Sequence, residues 1–171
     1  MLQLMGCLMI IAGCTGIAAV VCRDYNNRLH SLSLIKDIYE DMKYYISYQK
    51  LTVPEALLRL SEKENNPFAE AFYEIHEAVR GGNGNLPEIW HEHMEKALAY
   101  TTLSKDEKNF LLDFPSCLGY MEENAQTGAL DELQRQVMHR MEELSEEQKN
   151  KNKMVMSLGI AGGVLLSILL L

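Results

Sequence analysis

Charge in this chain is confined to its middle. Residues 1–22 contain no Asp, Glu, Lys or Arg, and neither do residues 154–171. All 16 basic and 24 acidic residues therefore lie in 23–153. A polar block between two uncharged apolar runs argues against an ordinary soluble enzyme. A helix that crosses a bilayer needs roughly 20 apolar residues, each rising about 1.5 Å. The first run, LQLMGCLMIIAGCTGIAAVVC, has that length, and the second, MVMSLGIAGGVLLSILLL, is short but adequate. A core helix of a soluble domain usually keeps a polar face, and neither run has a charged residue to make one. The expectation is an N-terminal transmembrane helix over 1–22 and a C-terminal one over 154–171.

Two other uses of the first run fit its residues less well. A cleaved signal peptide opens with Lys or Arg and closes on a small-residue cleavage site, but no basic residue precedes Arg23. Ile11-Ala12-Gly13-Cys14 has the look of a lipidation box, yet the apolar run continues to Val20, Val21 and Cys22. The flanks set the orientation, because cytoplasmic loops are enriched in Lys and Arg close to the membrane. Arg23 and Arg28 follow the first run, and Lys149, Lys151 and Lys153 precede the second. The block 23–153 is thus expected in the cytoplasm, with both termini on the opposite face. Ala12 and Gly16 are four apart, as are Gly159 and Gly163, a spacing that lets helix backbones approach closely. These four residues are candidates for packing between spans, within one chain or between copies in a homo-oligomer.

The formal net charge of −8 argues against a nucleic-acid partner, since phosphate neutralisation drives such binding. Cys7, Cys14 and Cys22 belong to the first run, leaving Cys117 alone in the polar block. That number builds neither a disulfide framework nor a Cys-rich zinc site. Beside Phe114 and Leu118, Cys117 reads as a small core residue.

The block shows helix signals and no convincing strand. Leu29, Leu32, Ile35, Met42 and Ile46 recur at helical spacing and continue the first helix out of the membrane. Thr52-Val53-Pro54-Glu55 is a capping box opening a second helix, with Val53, Ala56, Leu57 and Leu60 inward. Asn66-Pro67 starts a third, with Phe68, Phe72, Ile75 and Val79 on one face. Gly81-Gly82-Asn83-Gly84-Asn85 is a turn. A phosphate-binding loop needs Lys-Ser or Lys-Thr after its glycines, and Leu86-Pro87-Glu88 follows instead. The fourth helix turns in Ile89, Trp90, Met94, Ala97 and Leu98. A second capping box, Ser104 to Glu107, opens a fifth helix with Phe110, Leu111, Phe114 and Leu118 inward. Pro115 is expected to kink or end it, and Gly119 to terminate it. The last helix is expected from about Thr127 or Gly128, with a stripe of Leu130, Leu133, Val137, Met141 and Leu144. Nothing from Leu144 to Lys153 breaks it before the second span. The block is therefore expected to be all-α, six helices in a bundle, with the first and last anchored.

Catalytic chemistry is sparse. His91-Glu92-His93-Met94-Glu95 begins like a zinc-protease helix, but Glu95 stands where the second His is required. His91 and His93, two apart on a helix, point about 160° away from each other. Glu88-x-x-His91 is half of a di-iron pattern that has no second half here. A solvated helix face with Trp90 and Met94 turned inward accounts for these residues. Nucleophile-elbow and Walker sequences are absent. The expectation is no enzyme, no metal and no cofactor. The run Glu142, Glu143, Glu146 and Glu147 is either a face for a basic partner or a solvated helix surface.

Several short motifs in order carry a family resemblance. These are Met1, Leu2, Leu4 and Gly6 at the start; Trp90 after the glycine turn; Leu103-Ser104 leading into Phe110-Leu111; Leu118-Gly119; then Lys149-Asn150-Lys151, Ser157-Leu158-Gly159 and Gly162-Gly163 before a Leu-rich end. Over essentially its whole length the chain resembles the stage III sporulation protein AB family of endospore-forming bacteria. Pro115 is not expected of that family. The resemblance implies a bundle similar to the cytoplasmic domain of type II secretion system F proteins. It further implies a non-enzymatic component of the channel complex linking mother cell and forespore, in the mother-cell membrane around the forespore. The implied partners are a secretion-type ATPase, stage III sporulation protein AA, and other membrane proteins of that complex. A membrane-anchored helical scaffold or receptor unrelated to sporulation, and a membrane-tethered metalloenzyme using His91 and its neighbours, are the alternatives that the residues alone leave open.

Overall fold

The computed structural model describes the backbone of residues 2–82, 84–118 and 123–169. It describes the side chains of 23–116 except 83, of 125–154 except 152, and of 157, 161 and 162. Seven helices occur among the described residues: α1 (Leu2–Ser47), α2 (Val53–Ser61), α3 (Ala69–Arg80), α4 (Leu86–Leu98), α5 (Lys105–Leu112), α6 (Phe114–Leu118) and α7 (Glu123–Leu169). No strand occurs among them. Residues His30–Met141 form one compact unit, and Met1–Leu29 with Glu142–Leu171 form another. Among the described residues, no helix is long and apolar enough to cross a membrane. The two expected spans, 1–22 and 154–171, lie largely outside the residues whose side chains are described.

Local chemistry fixes the helix starts. At α2 the Glu55 carboxylate accepts the Thr52 backbone N–H at 2.9 Å and its hydroxyl at 2.8 Å. Those two donors hold the Glu55 carboxyl below its ordinary value, because they favour the charged form. Asn66 Oδ1 accepts the Phe68 N–H at 3.0 Å, while its Nδ2 donates to the Leu60 carbonyl at 3.0 Å. Asn66 thereby spends its side chain on a turn tied to the end of α2, and α3 starts at Ala69 rather than at Pro67. Gly82 and Gly84 have φ of 71° and 147° in the turn before α4, a region in which glycine escapes the Cβ clash. Asn85 then caps α4 by accepting the Glu88 N–H at 3.0 Å. Helix α7 begins at Glu123, earlier than the expected Thr127 or Gly128. Gly128 inside a helix costs only about 1 kcal/mol relative to Ala, a cost that the long helix beyond it offsets.

The expected stripes supply the core of the larger unit. Leu32, Ile35, Met42 and Ile46 of α1 are buried, as are Ala56, Leu57 and Leu60 of α2 and Phe72 and Ile75 of α3. Ile89, Trp90, Met94 and Leu98 of α4, Leu111 and Phe114, and Leu130, Leu133 and Val137 of α7 complete it. Val53, Val79, Ala97, Phe110 and Met141 are half-buried at its margin. Cys117, Leu118 and Gly119 lie outside the described side chains. Tyr39, at 1% exposure, fills the gap in the α1 stripe between Ile35 and Met42.

The expected fifth helix is two helices, α5 and α6, broken at Asp113. Pro115 has no N–H to give the Leu111 carbonyl four residues back. The Trp90 indole N–H takes that carbonyl instead, at 2.6 Å. The Tyr39 hydroxyl donates to the neighbouring carbonyl of Phe110. Both rings stack on Phe114, with centroids 4.9 Å and 5.4 Å away. Phe72 lies 5.8 Å from Trp90 and 6.5 Å from Phe68, so stacked and tilted rings run from α3 through α4 and α6 to α1. Such pairs contribute about 0.5–1.5 kcal/mol each beyond the area they bury.

Three outcomes follow for thermal or urea unfolding of the full chain in detergent. Trp90→Phe keeps most of the ring but strands the Leu111 carbonyl, and is expected to cost about 2 kcal/mol. In a Pro115→Ala background the same change is expected to cost less by at least about 0.5 kcal/mol, since an alanine in place of the proline supplies an amide to that carbonyl. Additive effects would show that the proline and the indole do not share this acceptor. The stabilising effect of Glu55 over Glu55→Ala is present above the ordinary Glu value and is lost as pH falls through the lowered one. Unfolding midpoints of the two proteins are thus expected to differ at neutral pH and to converge in acid.

Candidate functional site

Among the described residues, polar side chains gather in three places, none of which is a catalytic constellation. The first is inside the unit His30–Met141. Glu107, three residues after its cap, is fully buried. Its Oε2 accepts the Ser104 backbone N–H at 2.9 Å, and the Ser104 Oγ accepts the Glu107 N–H at 3.3 Å. Its Oε1 accepts the Nε–H of Arg140, from α7, at 3.0 Å. The sequence announces the cap, because Ser and Glu are three apart. Nothing local announces Arg140, which meets Glu107 only through packing. A buried carboxylate held by an arginine and a backbone amide is a structural pin: one oxygen closes the cap of α5 and the other takes the arginine of α7.

The histidines form the second group. His76, buried, donates from Nδ1 to the Pro54 carbonyl at 2.8 Å and so ties α3 to the first turn of α2. His93 Nδ1 lies 2.7 Å from a Glu74 carboxylate oxygen, joining α4 to α3. His91 is exposed, with Glu95 at 3.7 Å on its own helix. Trp90 and Met94 face inward between them, the arrangement expected of a solvated face. Glu92 accepts from Lys96 at 3.0 Å, and the ammonium holds that carboxyl below its ordinary value. Among the described residues, no three His, Cys, Asp or Glu side chains are grouped to hold a metal ion.

The third group lies in the smaller unit. Tyr25 of α1 is 8% exposed. The Lys151 ammonium of α7 donates to its hydroxyl, and the Arg28 guanidinium carbon lies 5.8 Å from its ring centroid, within cation–π range. One turn along, Gln148 Nε2 donates to Asn26 Oδ1 at 3.1 Å. This antiparallel register sets Arg23 opposite Lys153. The acidic candidates Glu142, Glu143, Glu146 and Glu147 are all exposed on α7, while Leu144 between them is buried. The packing candidates Ala12, Gly16, Gly159 and Gly163 lie outside the described side chains.

The buried pin gives an expected outcome. Arg140→Met leaves a buried carboxylate without its arginine and is expected to destabilise the full chain by roughly 3 kcal/mol. Adding Glu107→Gln to it is expected to recover a large part of that loss, read by unfolding of the single and double variants.

The comparisons with known proteins agree with one another. The family model for stage III sporulation protein AB matches residues 3–171. Stage III sporulation protein AB of Bacillus subtilis (strain 168) is 23% identical over 172 residues, covering 100% of both chains. A solved structure of stage III sporulation protein AB shares the fold, with a TM-score of 0.64 at 14% identity over 72% of this chain and 98% of that one. With a match along nearly its whole length, the chain belongs to the stage III sporulation protein AB family and has a role in sporulation.

Proposed function

We propose that this chain is a non-enzymatic, two-span membrane component of the complex that forms a channel between mother cell and forespore. One observation carries the membrane reading. The register in which Tyr25 meets Lys151 and Asn26 meets Gln148 sets Arg23 and Lys153 level with each other. Those are the last charged residues before the two uncharged runs. Two helices that lose all charge at one level have the form of a membrane hairpin. Residues 1–22 and 154–171 are then the spans, and 23–153 is a cytoplasmic domain of the type II secretion F kind. The protein sits in the mother-cell membrane around the forespore.

The domain serves as a platform for a secretion-type ATPase, stage III sporulation protein AA, and the spans meet other membrane proteins of the complex. What supports this reading is family membership together with a bundle that offers rigid surfaces rather than a reaction site. The exposed Glu142, Glu143, Glu146 and Glu147 face is the candidate contact. Movement of the ATPase would pass into the membrane along α7, which runs without interruption from Glu123 to Leu169.

Affinity capture of the tagged full chain from solubilised sporulating cells is expected to recover the ATPase, and to lose it when 30–147 is deleted. Recovery of this protein alone, at matched expression and in more than one detergent, refutes the platform. Ser145→Pro interrupts α7, at about 3 kcal/mol or more, and is expected to abolish heat-resistant spores while the protein stays in the membrane fraction. Normal spore counts would show that an unbroken α7 is not needed.

A further inference from the structure

We infer that the two helix segments bordering the uncharged runs form a recognition surface for anionic phospholipid headgroups. The inference rests on the two-span reading above and adds a ligand to it. Residues 23–28 and 149–153 hold five basic side chains and one acidic one, a charge of +4 in a chain whose total is −8. The remainder of the chain therefore carries −12. Charge of the sign opposite to the rest of the molecule is concentrated at one level. Arg23, Lys149, Lys151 and Lys153 are exposed there.

The cluster is built from both helices. Lys151 is fixed on the Tyr25 hydroxyl, and Arg28 lies against the same ring. The Gln148–Asn26 bond closes the pair one turn away from the uncharged runs. Mutual repulsion of the cations is thus held in place by a buried tyrosine rather than relieved by the helices parting. Asp24 is the one acidic residue in these segments. Lysines and arginines at that depth meet the headgroup layer, where each gains from anionic lipid and the gain is screened within a Debye length. Lys149, Lys151 and Lys153 alternate with Asn150 and Asn152. Successive lysines therefore fan around α7 by about 160° to 200°, suiting a surface of many headgroups rather than a single phosphate pocket.

The full chain is reconstituted in vesicles of phosphatidylcholine with a minority of phosphatidylglycerol. Alkaline carbonate washing first tests whether it spans. The retained protein is then excised with its surrounding lipid in polymer-bounded discs, and the lipid is counted by mass spectrometry. Phosphatidylglycerol is expected to be enriched about threefold over the bulk vesicle, with the enrichment shrinking at high salt. Combined Arg23→Gln, Lys149→Gln and Lys153→Gln, which leaves Lys151 on Tyr25, is expected to bring it close to bulk. Lys105→Gln with Lys108→Gln on α5 is expected to leave it unchanged. A carbonate-resistant protein surrounded by lipid of bulk composition overturns the headgroup surface and leaves the spans standing, as does a triple variant as enriched as the natural chain. Protein stripped by carbonate overturns the two-span reading, and this inference with it.

Discussion

Pro115 cannot donate to the Leu111 carbonyl, and the core of the larger unit is arranged around what takes its place. Trp90 supplies the missing N–H from α4 at 2.6 Å. Tyr39 of α1 bonds the adjacent Phe110 carbonyl. Phe114, just past the break, stacks against both rings. A buried carbonyl left unsatisfied costs about 1–3 kcal/mol, so the helix break is tolerable only because two aromatic side chains with polar ends lie beside it. In return the break locks three helices to one another through directional bonds, which aliphatic contacts alone do not provide.

A second directional tie works at the other end of α5. The Ser104 cap presents the buried Glu107 carboxylate, and the half-buried Arg140 of α7 reaches it. A buried ion pair is weak evidence for net stability, because desolvation offsets most of the attraction. Its effect is on position: any other placement of α7 beside α5 would leave a charge buried and unpaired. His76 on the Pro54 carbonyl and Asn66 on the Leu60 carbonyl do the same for α2 and α3 through backbone acceptors. The described polar side chains of the interior are engaged in holding helices in register.

The smaller unit follows a different logic. Its described polar residues pair α1 with α7 at the level where both helices lose their charge. The segments next to the uncharged runs carry an excess of cations, and the remainder of the chain carries an excess of anions. An acidic molecule with a basic collar at that level would be repelled from an anionic bilayer everywhere but at the collar.

The all-α class, the capping boxes at Thr52 and Ser104, and most of the buried stripe residues are legible in the amino-acid order alone. That order also marks the uncharged runs and the resemblance to one family. These are legible because helix period, cap chemistry and charge runs are local properties. Position 39 belonged to the α1 stripe as well, its hydroxyl disguising a core residue. The division of a helix at Pro115 with its carbonyl passed to Trp90, the pairing of Arg140 with Glu107 and that of Lys151 with Tyr25 emerge on packing. Each of those pairs joins residues far apart in the chain, and no local spacing encodes them. They arise when helices pack and every buried donor and acceptor must find a partner in three dimensions.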